Sequence, residues 1–278
     1  MKRALQEFGP LTAAGPDGIK PIMLQKGWDS IKQAFVSIAK ASFLLGYTPG
    51  PWRNSLGIFL PKPGKDDYYN PKSYRTMTLA PVPLKWMERV ILWHMEVDLK
   101  IYSNLSKKQY GFKRGSSTIA AVHKLVKKFE FAILNQGMAL GTFLDIEGAF
   151  DNVSFDAIER ALDSKCKSAE VNQWIRSMIH NRQTTVELQG ERRTIAIRRG
   201  CPQGGILSPF LWNLVVNELL EYTRNKIPSD LQGFADDLAL VSIVTAPRQT
   251  NGRQGYDADT LREVSKKSLN NINLCRKS

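Results

Sequence analysis

Two adjacent aspartates, Asp236 and Asp237, interrupt an otherwise apolar run. Phe234-Ala235 precede them and Leu238-Ala239-Leu240-Val241 follow. Leu231 to Ser242 reads as a hairpin by its alternation and length. Burying an unpaired carboxylate costs several kcal/mol, so a strand pair carries two acids only where something compensates them. A third acid, Asp145, ends a second apolar strand read over 139–145, within FLDIEGAFD. A salt bridge to one of the many Arg or Lys side chains is the plainer account of a single such Asp. Two acids together in a hairpin, with a third closing another strand, favour metal ligation. A hard divalent cation such as Mg²⁺ takes carboxylate oxygens and substrate phosphates. Two such ions about 3.5–4 Å apart stabilise both the attacking and the leaving oxygen of a phosphoryl displacement.

The rest of the chain reads as mixed α and β without strict βαβ alternation, which predicts an α+β fold. Residues 10–21 form a Gly/Pro loop. A helix follows with Ile31, Phe35, Ile38 and Ser42 near one face, and Tyr47 to Pro51 ends it. Ser55 to Leu60 reads as a strand, Lys62 to Lys72 as a polar turn-rich segment, and Leu84 to Ile101 as a buried helix. Ile119, Val122, Val126, Phe129 and Ile133 recur at helical spacing, as do Val171, Trp174, Ile175 and Met178. Val186 and Leu188 alternate with Ile195 and Ile197 about a Gly190 turn, a further hairpin. Pro209 opens a helix with Leu211, Leu214, Val215 and Leu219 on one stripe. Residues 245–259 read as a loop, and a last helix opens near Thr260.

The 278 residues allow one large domain or two small ones, and 42% hydrophobic content suffices for a core. Lys and Arg exceed Asp and Glu by 39 to 26, a formal charge of +13 that fits a polyanionic partner. Cys166, Cys201 and Cys275 are odd in number and far apart, which suits a reduced, intracellular protein. The first residues lack a signal-peptide pattern, and no apolar stretch approaches the roughly 20 residues of a membrane span. No membrane partner is therefore expected.

Taken together, the segments resemble the ordered blocks of the reverse transcriptase of non-LTR, LINE-type retrotransposons. AAGPDGI (13–19) resembles the opening block, and LPKPGKDDYYNPKSYRTMTLAPVPLKWMERVI (60–91) and QYGFKRGSST (109–118) resemble two fingers blocks. FLDIEGAFDNV (143–153), RRGCPQGGILSPFLWNLVVNELL (198–220) and GFADDLALV (233–241) are similar to motifs A, B and C. The resemblance spans nearly the whole chain. It implies fingers and a palm, the palm being a small antiparallel sheet backed by helices. Fingers are expected over 1–135, rejoined by the hairpin at 184–198, and palm over 136–278, with the thumb absent.

The same resemblance implies residue roles. Asp145, Asp236 and Asp237 match the catalytic, metal-binding acids, with two Mg²⁺ ions as cofactor and Mn²⁺ as a substitute. Phe150 matches the bulky gate that excludes a 2′-hydroxyl. Gln203 and Gly204 match the motif B pair beside the incoming nucleotide, and lacking Cβ atoms Gly204 and Gly205 permit close approach. Arg75 matches a fingers arginine that contacts the triphosphate, with Lys62, and after it Lys65, on the adjacent loop. Lys113, Arg114 and Ser117 offer a template-backbone contact set, although Ser117 or Thr118 also suits a helix cap. The implied partners are an RNA template, a DNA primer and dNTPs.

Thr76 and Met77 after Arg75, and Thr12 in the opening block, depart from the pattern. The motif D lysine, the primer grip and the thumb lie outside the sequence, so weak or absent processive polymerisation is expected. The alternatives are a non-catalytic nucleic-acid-binding remnant and a group II intron-type maturase, which the GFKRG form and Trp212 disfavour. Viral RNA polymerases share the acids, but Phe150 argues against an enzyme that must accept a 2′-hydroxyl.

Overall fold

The computed structural model describes residues 1–226, 230–245 and Lys266. The loop expected over 245–259 lies beyond them except for Thr245, and the last helix from Thr260 is outside them apart from Lys266. In chain order the elements are α1 (Lys2–Gln6), α2 (Pro21–Leu44), β1 (Asn54–Pro61), β2 (Tyr74–Leu79), α3 (Val82–Trp93) and α4 (Thr118–Leu134). There follow β3 (Gly137–Asp145), α5 (Ala149–Asn152), α6 (Phe155–Lys165), α7 (Ala169–Ile179), β4 (Gln183–Leu188) and β5 (Glu191–Ala196). The series closes with α8 (Ser208–Lys226), β6 (Asp230–Phe234) and β7 (Asp237–Thr245). The α+β expectation holds.

Local chemistry explains most boundaries. Pro21 opens α2 at a position where its missing N–H costs nothing. Ser117, Ser154 and Ser168 cap α4, α6 and α7, each accepting from a backbone amide three residues on. Gln189 and Gly190 both have positive φ (52° and 83°), the two-residue hairpin turn that matches the strand twist between β4 and β5.

The chain forms two compact units, Met1–Asn104 with Gly148–Trp212, and Leu105–Glu147 with the chain from Asn213. In the first unit a four-stranded sheet runs in the order β2-β1-β4-β5, with β1 and β4 parallel and the other pairs antiparallel. The hairpin read at 184–198 thus lies beside β1. Its core includes Trp86, Ile158, Leu162, Trp174, Ile175 and Met178. Ser42 ties α2 to α7, donating to Tyr47 O and accepting from Trp174 Nε1 at 3.0 Å. In the second unit a three-stranded antiparallel sheet runs β3-β7-β6, with α4 packed on it.

Several expectations are corrected. The buried residues of α2 are Pro21, Leu24, Trp28, Ala39 and Ser42, whereas Ile38 is half exposed at 50%. The helix expected from Leu84 to Ile101 is regular only to Trp93 and continues as a wider π-helical turn to Asp98. β2 falls in a stretch to which the sequence assigns no element, and it pairs with β1 from Leu79 opposite Leu56 to Tyr74 opposite Pro61. In α4 the regularly spaced Ile119, Val122, Val126 and Ile133 are exposed, while Ala121 and Ala132 are buried. Small side chains let the helix approach the sheet, and the Phe129 ring fills the space above Gly141. β3 is an outer strand with Phe143 71% exposed, not a buried one.

Candidate active site

The three aspartates fall in the second unit, at one end of its sheet. β3 and β7 pair along their whole length, and the register sets Asp145 directly opposite Asp237. Directly opposite residues in an antiparallel pair face the same side, with Cβ atoms about 4.5–5.5 Å apart. β6 turns into β7 through Ala235 and Asp236, so Asp236 stands at the hairpin tip beside that pair.

The tip is held in an unusual backbone state. Ala235 has a φ of 57°, left-handed for a residue with a Cβ. Residues 108–111 run along β6, with Tyr110 N donating to Gly233 O and Gly233 N to Lys108 O, both at 2.9 Å. A Cβ on Gly111 would stand 2.1 Å from Ala235 N, so only glycine permits this approach. From α8, Asn213 Nδ2 donates to Gly111 O at 2.9 Å and fixes the segment. The 108–111 segment therefore braces the turn that carries the acids, a structural task not read from the sequence.

The acids are less buried than their apolar setting suggested. Asp145 and Asp237 are exposed and Asp236 is half-buried, because they occupy a strand end and a hairpin tip. None of the three carboxylates has a side-chain hydrogen bond or an ion pair to another described residue, so the salt-bridge account finds no partner there. Among the described residues no group of three or more His, Cys, Asp or Glu side chains stands close enough together to hold a metal ion. The donors are an open row of carboxylates only, which suits a hard oxygen-seeking cation that keeps room for water and phosphate.

The first unit holds most of the residues expected to meet a nucleotide. Phe150 lies on the short α5, whose N-terminus is set by Gly148 at φ 63°. Its ring packs on Trp212 with centroids 5.8 Å apart. The loop before α8 docks on this helix: Cys201 N donates to Phe150 O and Gly200 N to Val153 O, both at 2.7 Å. Gly200 has φ 84°, and a Cβ there would meet Asp151 O at 2.7 Å. Gln203 Nε2 donates to Asp151 Oδ2 at 2.8 Å, and Gln203 O accepts from Thr78 N at 2.8 Å. Gly204, at φ 109°, leaves no space for a Cβ, which would lie 2.8 Å from Thr78 O. Glycine is thus required at 204 by the protein's own backbone.

Burial pushes the Asp151 carboxyl up, while the Gln203 hydrogen bond and the Lys62 charge pull it down. Lys62 is therefore close enough to Asp151 to act on it. Its ammonium donates to Lys72 O at 2.9 Å across the base of the 62–72 loop. Lys65 is exposed on the same loop. Arg75 is exposed on β2, opposite Leu60 and three residues before Thr78. The structure thus gathers Phe150, Gln203, Gly204 and Lys62, and leaves Lys65 at the loop surface.

Of the residues expected at a template, Lys113 is half-buried and Arg114 exposed, on the turn before α4. Ser117 is the α4 cap, its Oγ accepting from Ala120 N at 3.1 Å. Its hydroxyl proton stays available to donate.

Asp151, Gly200, Arg182 and Glu88 were missed. Glu88 carried the same signal as the aspartates, a charge inside an apolar run, LKWMERVILW. Asp151 sits beside Phe150 and was masked by the nearby Asp145.

One unit thus holds a small antiparallel sheet carrying three acids at one end, and the other holds a mixed sheet and a Gly-rich loop. The model of the family described as reverse transcriptase (RNA-dependent DNA polymerase) matches residues 60–254. The chain belongs to the reverse transcriptase family. Over 228 residues it is 31% identical to a 115 kDa protein in type-1 retrotransposable element R1DM of Drosophila melanogaster, covering 82% of this chain and 21% of that protein. It is 28% identical to the RNA-directed DNA polymerase from mobile element jockey of Drosophila melanogaster, over 82% of this chain and 25% of that protein. These are proteins of non-LTR elements, as the order of blocks indicated. The chain spans about a fifth to a third of the curated relatives it matches. A truncated apo telomerase from Candida tropicalis is similar in fold, with a TM-score of 0.50 at 12% identity, over 87% of this chain and 51% of that chain. Among the described residues no helix is long and apolar enough to cross a membrane.

Proposed function

We propose that this chain is the nucleotide-adding part of a retrotransposon RNA-directed DNA polymerase. Its substrates are dNTPs, a DNA primer and an RNA template. The observation that carries this reading is the pairing of Asp145 with Asp237 beside Asp236 at a braced hairpin tip. Three carboxylates without ion-pair partners among the described residues are suited to hold two Mg²⁺ ions, or Mn²⁺ in their place. Bound there, the ions supply charge neutralisation to the primer 3′-hydroxyl and the triphosphate.

The remaining roles belong to side chains. Phe150, backed by Trp212, presents a rigid ring that leaves no room for a 2′-hydroxyl. Gln203 spends its Nε2 on Asp151, which leaves its carbonyl oxygen to accept from the nucleotide. Arg75 and Lys62 bind the triphosphate, the guanidinium by its fork and the ammonium as a point charge, with Lys65 a more distant contributor. Lys113, Arg114 and the Ser117 hydroxyl contact the template backbone. The +13 charge adds sequence-independent affinity for either strand.

The test is addition of a single dNTP to a primer on an RNA template with Mg²⁺. Wild type adds it and Asp236→Ala does not. Addition that survives in the variant refutes the assignment. Salt-sensitive template binding with no addition by wild type points instead to a binding remnant.

A further inference from the structure

Gln203 and Gly204 lie on a loop whose two ends are held by buried charges with no part in the proposed chemistry. Glu88, on α3, is 1% exposed, and its Oε2 accepts from Ile206 N at 2.7 Å. The Leu207 amide also favours its ionised form. These two amides immediately precede α8, where backbone donors lack intrahelical partners and a negative charge is favoured. At the other end of the loop Arg182, 7% exposed, donates to Gly200 O and, through Nε, to Ile179 O at 3.0 Å. Between these anchors Thr78 holds Gln203 O and Asp151 holds the Gln203 amide.

We infer that Glu88 is a positioning residue for the 200–207 loop, fixing the backbone that presents Gln203 and Gly204 to the incoming nucleotide. The inference rests on the polymerase reading for its purpose and on the Glu88–Ile206 hydrogen bond for its geometry. A buried charge network is often no more stabilising than apolar side chains of equal volume, so its distinctive contribution is to fix one arrangement. A carboxylate is the group that does this here: it accepts from the Ile206 amide and complements a helix N-terminus.

The groups facing Glu88 are Lys85 from its own helix, Arg182 from the α7–β4 connection and Cys201 from the loop. Burial pushes Glu88 up to about 7, against the pull of the Ile206 amide, Lys85 and Arg182. Burial also pushes the Cys201 thiol up to about 12, so it stays neutral.

Amide hydrogen exchange on the 278-residue chain tests this without needing polymerase activity. The readout is exchange of the 203–207 amides relative to those of α6 and α7. Glu88→Gln keeps the shape but loses the charge. It should exchange about ten-fold faster in the loop at about pH 8 while exchange in α6 and α7 stays close to wild type. In primer extension the variant should raise KM for dNTP about ten-fold and change kcat less. Unchanged loop exchange in the variant, exchange raised equally throughout the chain, or unchanged KM and kcat beside a loosened loop would each overturn the inference. If wild type extends no primer, the polymerase reading fails, and the exchange data still decide whether Glu88 holds the loop.

Discussion

Gln203 donates its side-chain amide to the Asp151 carboxylate at 2.8 Å, joining the motif B loop to the helix that carries Phe150. This contact makes Asp151 the group that fixes which way Gln203 points. Asp151→Ala should cost about 1 kcal/mol of transition-state stabilisation, roughly a five-fold fall in kcat/KM for dNTP. Steady-state kinetics at single-nucleotide addition would show it. Burial holds Asp151 above its usual range, so the wild-type advantage over Asp151→Asn should shrink as pH falls into the upper carboxylate range.

Gly204→Ala should destabilise the first unit by about 2–4 kcal/mol, combining backbone strain at φ 109° with a clash at Thr78 O. Gly18→Ala is the control, since Gly18 has φ 68° with nothing near its Cβ position, and should cost about 1–2 kcal/mol. Thermal melts of the two variants measure the difference.

Phe150→Ala should raise incorporation of ribonucleotides relative to deoxyribonucleotides by about ten-fold or more, the effect of removing a steric block. Competition between dNTP and rNTP in primer extension reads it directly. Loss of the ring from Trp212 should also lower stability by about 2–3 kcal/mol, less than in a full core site because Phe150 is only half-buried.

Glu88 gives a stability prediction of definite sign. Its folded-state value of about 7 lies above the ordinary carboxyl value, so the folded chain binds the proton more tightly than the unfolded one. The group's unfavourable contribution therefore grows as pH rises through the window between those two values. Wild type should lose stability relative to Glu88→Gln across that window, as measured by denaturant melts at several pH values.

Much of this was legible in the sequence, for physical reasons. The acids stood out because an apolar hairpin is a costly place for charge, and the Gly190 turn because two left-handed residues suit a two-residue hairpin. The family followed from the order of blocks, since any one of them alone is weak. Other features were hidden. The apolar spacing of α4 pointed to Ile119 and Val126, whereas the sheet took the Ala121 and Ala132 side, where close approach is possible. β2 was invisible because its pairing to β1 is non-local and its residues, Tyr74 to Leu79, are only partly buried. Gly111 and Gly200 are needed for contacts with backbone far along the chain, which no local pattern encodes.

The central claim is that Asp145, Asp236 and Asp237 form one cation site. A Mn²⁺ titration followed by electron paramagnetic resonance, with primed RNA template and dNTP present, tests it whatever the rate of polymerisation. Wild type should bind Mn²⁺ that both Asp145→Asn and Asp236→Ala fail to bind. Equal binding by all three proteins would contradict the account.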